Sequence, residues 1–119
     1  MEHMDLARLG EDEAEKFISE KGYQILERNW YHRHKELDLI AIEEDELVII
    51  EVKTRRAPVR DNPSMAIDRK KQRFLVIAAN AFARKHRISL EVRFDVLWVV
   101  YKGEKAEIDH IKNAFVPGL

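Results

Sequence analysis

The stretch Leu47–Arg55 constrains this chain more than any other. Val48, Ile49, Ile50 and Val52 are apolar on both parities, the pattern of a strand covered on both faces. The same run holds Glu51 and Lys53, which share one side because side chains alternate along a strand. Charges in such a strand are costly unless they are paired or bind an ion. The preceding segment, Glu36–Ala41, repeats the anomaly with Asp38 between Leu37 and Leu39. Glu43, Glu44 and Asp45 form an acidic turn short enough for a hairpin, so Asp38 belongs on the strand beside Glu51 and Lys53. Local rules broken on two neighbouring strands mark a site.

The rest of the chain supplies the layers that must cover such strands. Helical spacing predicts a helix over 5–21, ending at Gly22, and a second over 65–86 with Ile67, Leu75, Ala78, Ala79 and Phe82 inward. Strands are expected at 23–31, about 34–43, 46–55 and 89–101. Pro58, Asn62 and Pro63 mark a loop over 56–64. Ile108, Ile111 and Phe115 suit a last short element in the tail. The order is α-β-β-β-α-β in an α/β layer arrangement. At 119 residues, 1–119 is expected to form one domain around one core. Hydrophobic residues at 45% and charged residues at 36% suit a globular chain and not a disordered one. The absence of cysteine excludes disulfides and thiolate metal sites and points to a reducing cytoplasm. No apolar run is long enough to span a bilayer, and acidic Met1–Asp5 is no signal peptide, so no membrane partner is expected.

Asp, then Glu-x-Lys on the next strand, is the donor set of a metal-dependent nuclease. Phosphodiester hydrolysis needs a hard cation to neutralise developing charge and to activate water. Mg²⁺ (or Mn²⁺) takes oxygen ligands, which Asp38, Glu51 and the Val52 carbonyl can supply. Lys53 then stands beside the metal-bound water. On helix one, Ala7, Ala14 and Ile18 define the apolar face, and Glu11 falls inside it as a further inward acid. The competing structural reading is a buried Glu51–Lys53 or Asp38–Lys53 ion pair that only holds the sheet. Glu36 shares parity with Asp38, either as a secondary ligand or as a strand-end acid.

Net charge is −1, which argues against a simple basic nucleic-acid binder, but the charge is unevenly spread. Arg55, Arg56, Arg60, Lys70 and Lys71 lie in a basic stretch that suits a phosphate backbone held over the carboxylates; a solvated face is the alternative. The five histidines lack metal-ligand spacing and read as surface residues. Trp30 and Tyr31 suit a core edge, with base stacking as the alternative, Trp98 the core, and Asp95 a pairing with a basic neighbour or support of the site.

These segments resemble the YraN family of endonuclease-like bacterial proteins, within the PD-(D/E)XK nuclease superfamily and similar to archaeal Holliday junction resolvases. The likeness covers most of the chain: Leu9-Gly10-Glu11 with Ala14, Gly22–Leu26 with Asn29, the two strands around Asp38 and Glu51, Asn62-Pro63, Ala66-Ile67 with Lys71, and Arg93–Val96. Lys35 departs from it, standing where the family commonly has glycine. The resemblance implies a restriction-endonuclease-like α-β-β-β-α-β core with a mixed central sheet flanked by helices. It also implies Asp38, Glu51 and Lys53 as the catalytic set, Glu11 as the helix-one acid, and a divalent metal. A metal-dependent endonuclease cutting DNA, branched DNA included, is the expected activity, and a homodimer follows from the likeness to resolvases. The alternative is a non-catalytic nucleic-acid-binding or protein-interaction module that keeps the fold.

Overall fold

The computed structural model describes residues 3 to 118, with side chains from Leu6 onward. Helix α1 (His3–Glu20) leads into strands β1 (Gln24–His32), β2 (Lys35–Glu43) and β3 (Glu46–Arg56). Helix α2 (Arg69–Lys85) crosses over to β4 (Glu91–Lys102), and β5 (Lys105–Ile111) closes the sheet. The strand order is β1-β2-β3-β4-β5, antiparallel throughout except for the parallel β3–β4 pair that α2 connects. The expected α-β-β-β-α-β order therefore stands, with the tail element resolved as β5. No helix among the described residues is long and apolar enough to cross a membrane.

Each face of the sheet is covered by one helix, as the two-sided apolar pattern of β3 requires. Leu39, Ala41, Val48 and Ile50 pack with Ala14 and Ile18 on the α1 side. Leu37, Ile40, Leu47 and Ile49 pack with Leu75 and Phe82 on the α2 side. Trp30 meets the Phe82 ring edge-on at 5.1 Å, a core-edge position, and Trp98 is buried. Tyr31 is exposed.

Helix α1 departs from the expected face in one respect. Ala7 is exposed, and buried Gly10 takes its place in a stripe with Ala14 and Ile18. Those residues recur at i, i+4, the spacing that stays on one side of a helix. A Cβ at Gly10 would overlap Thr54 Oγ1 on β3 and lie 2.7 Å from its Cγ2. Glycine is what lets α1 settle onto β3 beside the acids.

Helix α2 starts later than its apolar spacing suggests. A 3-10 turn at Pro63–Met65 comes first, and Asn62 accepts the Ser64 N–H at 3.0 Å. Asp68 then caps α2, accepting the Lys71 N–H at 2.8 Å.

Asp95 pairs with a basic neighbour, as expected. Arg93 donates to both of its oxygens at 2.9 Å through Nε and Nη2; Nη2 also reaches Tyr23, and Nη1 reaches Glu43 and Glu46. One histidine corrects the surface expectation: the side chain of His110 is enclosed, with 5% of it exposed. Its Nδ1 accepts from Lys21 Nζ at 2.8 Å, so Nε2 carries the proton and donates to Asp95 at 2.8 Å. A partner far along the sequence explains a burial that spacing did not signal.

Gly10→Ala should destabilise the protein by about 1–3 kcal/mol in urea unfolding, the usual penalty for overpacking. Adding Thr54→Ala to it should return part of that loss. An unchanged midpoint in the single variant would mean that the α1–β3 contact is loose.

Candidate metal centre

The site lies where β2 and β3 part. Their pairing runs from Glu43↔Glu46 to Leu39↔Ile50 and stops one residue short of Asp38 and Glu51. Asp38 Oδ2 instead accepts the Val52 N–H at 2.8 Å, so a side chain replaces a ladder bond. In a strand the N–H and C=O of one residue face the same neighbour, so the Val52 carbonyl faces this gap too.

Alternation in β2 reverses at Asp38. Leu37 packs on the α2 side, yet Leu39, of the same parity, packs on the α1 side. The opposing strand kinks across from it. Arg28↔Leu39 and Trp30↔Leu37 bracket Asn29, whose φ is 52°. Asparagine is among the few residues that adopt this left-handed region readily. Asp38 thus sits between the two faces of the sheet, able to meet groups from each.

On one flank it meets Glu51. Glu51 shares parity with Leu47 and Ile49 and is 3% exposed. Burial first, then the hydrogen-bonding contact and negative charge of Glu51, push the Asp38 carboxyl well above its ordinary value of 3.8. The Asp38 carboxyl therefore holds its proton when nothing else neutralises it. Lys53 Nζ is 3.9 Å from Glu51 Oε2, on the same side of the strand as expected. Lys71 Nζ, from α2, lies at 3.0 Å from that oxygen. The ammonium is within ion-pair range but off the hydrogen-bonding direction, so Glu51 Oε2 is a buried carboxylate oxygen with no hydrogen bond.

On the other flank Asp38 meets Glu11 and Glu36, and one carboxylate oxygen of each of the three lies within 4.8 Å of the others. Glu11 is held in place by β1, since its Oε1 accepts from Asn29 Nδ2 at 3.2 Å and Arg28 Nη2 at 3.4 Å. Arg28 also binds Asp12 and Glu15, at 2.6 and 3.1 Å, and so ties α1 to β1. This acidic triad, with the unsatisfied Glu51 oxygen beside it, can hold a metal ion. The oxygen-only donors suit a hard divalent cation.

The structure therefore groups Glu11 and Asp38 with Glu36; Glu51 lies outside that triad but adjoins Asp38, and Lys53 stands beside Glu51. Val52 takes part through its N–H, in the same gap its carbonyl faces. The basic residues divide. Arg55 holds Asp61 through contacts of 3.0–3.2 Å and lies over the Trp98 ring at 5.1 Å. Lys71 is committed to Glu51. Arg56, Arg60 and Lys70 are exposed and form no ion pair among the described residues. Lys35 lies over the Phe74 ring at 4.1 Å, beside Lys71 at 5.2 Å from the same ring. Sequence reasoning missed the support that Asn29 and Arg28 give Glu11. The signal available was an asparagine inside an otherwise strand-forming segment.

The raised Asp38 makes stability pH-dependent. The folded carboxyl keeps a proton that the unfolded chain loses above about pH 4, so the native state binds more protons and stability falls as pH rises. Glu43 and Asp95 act in the opposite sense and only at the acid end. Burial alone would raise both; for Glu43 hydrogen bonds led by Arg93, and for Asp95 those from His110 and then Arg93, outweigh it. In chelating buffer, urea unfolding should show stability declining from pH 5 to pH 9, by at most about 1.4 kcal/mol per pH unit. Asp38→Asn should flatten that slope. An equal slope in both proteins would locate the titration elsewhere.

The model of an uncharacterised protein family, UPF0102, matches residues 10–99, which span α1 from Gly10, both acid-bearing strands, α2 and most of β4. A UPF0102 protein of Parabacteroides distasonis is 45% identical over 111 residues, covering 93% of this chain and 92% of its own length. One from Bacteroides thetaiotaomicron is 43% identical over 118 residues, covering 99% and 98%. A third, from Phocaeicola vulgatus, is 40% identical over 116 residues, covering 98% and 96%. With a family model over three quarters of its length and full-length relatives at this identity, the chain belongs to the uncharacterised protein family UPF0102.

Proposed function

We propose that this protein is a metal-dependent endonuclease that hydrolyses DNA phosphodiester bonds with Mg²⁺ or Mn²⁺. The observation that carries the reading is the buried Glu51 oxygen without a hydrogen bond, beside the Asp38 carboxyl and 3.9 Å from Lys53. A sheet that needed only an ion pair has no use for a second acid pressed against the first. Such acids repel when ionised, and a divalent cation relieves the repulsion. The resemblance to PD-(D/E)XK nucleases supports the same roles.

Asp38 and Glu51 would hold the metal, with the Val52 carbonyl facing the same gap. The metal supplies charge neutralisation at the scissile phosphate and a more acidic water. The chain's own groups do the rest. The Val52 N–H fixes the Asp38 carboxylate at 2.8 Å. Lys53 is close enough to orient a water or to neutralise charge developing on phosphate oxygens. Glu11 and Glu36 extend the acidic line toward α1, where a second cation or further waters would be held. Lys35, Arg56, Arg60 and Lys70 are the cations that would meet a phosphate backbone. A homodimer would carry two such sites, as paired cuts in branched DNA require.

The direct test is purified protein on linear, nicked, flapped and four-way-junction DNA, in Mn²⁺ and in EDTA. Cleavage in Mn²⁺ only is expected. Glu51→Gln should abolish metal binding and cleavage together, whereas Lys53→Ala should keep metal affinity and lose turnover by about 10²–10³-fold. Metal binding without cleavage of any substrate would leave the non-catalytic module as the better reading.

The DNA path is read separately, from binding. Arg56→Ala or Arg60→Ala should weaken binding alike for all sequences, each reducing the slope of log K against log salt by about one unit. Unchanged slopes in both variants would move the path to another face.

A further inference from the structure

Lys71 occupies a position that a metal site does not obviously need. It stands in the first turn of α2, where Asp68 accepts its backbone N–H at 2.8 Å. From there the side chain reaches across to β3 and brings Nζ to 3.0 Å from Glu51 Oε2. Lys53, two residues from Glu51 on the same strand, remains at 3.9 Å from that oxygen. The shorter contact belongs to the lysine on the other element. It lacks hydrogen-bond geometry, so what joins them is charge and not a directed bond.

The oxygen that Lys71 neutralises is the one a cation at this site would use. A carboxylate enclosed to 3% exposure is costly unless positive charge stands beside it. Ammonium and metal cannot both stand at Oε2, since like charges at that separation repel strongly where water is scarce. Lys71 also has somewhere to go. Its side chain is one-third exposed, so a displaced ammonium can turn outward into water.

We infer that Lys71 is a resident counter-ion: it stands at Glu51 in the metal-free protein and is displaced when the metal binds, so loading the site is an exchange of one cation for another. The inference rests on the metal site proposed above. The exchange keeps the acid pair neutralised before loading, which protects the fold. It also makes the apparent metal affinity lower than the carboxylates alone would give.

The experiment is calorimetric titration of Mn²⁺ into wild type, Lys71→Met and Lys71→Arg, with melting curves in EDTA and in saturating Mn²⁺. Lys71→Met keeps the length of the side chain and its helix preference while removing the charge. It should bind Mn²⁺ about fivefold tighter, equivalent to about 1 kcal/mol, the scale of a partly exposed ion pair. In EDTA it should melt roughly 3–6 °C below wild type, and Mn²⁺ should erase that gap. Lys71→Arg, still charged, should match wild type in both measurements. If wild type binds Mn²⁺ and Lys71→Met binds it no tighter, the exchange is overturned while the metal site stands. Tightening in Lys71→Arg as well would assign the effect to shape and overturn it equally. If wild type binds no Mn²⁺, the metal site itself fails and Lys71 is a permanent ion pair.

Discussion

Val52 N–H lies on the central strand of a sheet covered on both sides, and a backbone donor buried there must find an acceptor. The main chain of β2 stops supplying one after Leu39↔Ile50. The Asp38 carboxylate takes over at 2.8 Å. This substitution joins fold to site. Because the side chain completes the ladder, Asp38 is aimed into the gap by the sheet's own hydrogen-bonding requirement and needs no loop to place it. Sites built on strands in this way hold their groups more firmly than sites built on loops.

The charges around that gap are balanced from opposite layers. Acids come from α1 and β2, through Glu11, Glu36 and Asp38, and from β3 through Glu51. Cations come from β3 and α2, through Lys53 and Lys71. Arg28 keeps the α1 acids from pushing the helix off the sheet, while Gly10 sets how near the helix can come. The acids come close only because packing on both faces holds them there. Hydrophobic cover supplies the stability against which the electrostatic strain is held.

How much of this was legible in the sequence depended on whether the signal was local. Asp38, Glu51 and Lys53 stood out because each breaks the apolar pattern of its own strand, and the short acidic turn fixed which strands were neighbours. The six main elements were legible from spacing, and α2 began late only because Asn62 and Asp68 cap locally and stop the helix from reaching back to residue 65. Pairings across the fold were not legible. Nothing near Lys71 in the chain names Glu51 as its partner, and nothing near His110 names Asp95. Ala7 and Gly10 lie on neighbouring stripes of α1, and the choice between them is made by Thr54 on another element. The basic stretch read as one patch, but Asp61 and Glu51 hold Arg55 and Lys71 out of it.

The kink at Asn29 has a consequence beyond aiming acids. β1 is an outer strand of the sheet, with one row of backbone groups facing away from β2. A straight strand in that position is a template on which another chain can add itself. Here the register slips between Ile25 and Glu27, and the backbone turns left-handed at Asn29. The margin of the sheet is therefore twisted twice within a few residues and offers no flat run for a further strand. The irregularity that organises the carboxylates also guards the molecule against growing into an aggregate along that edge.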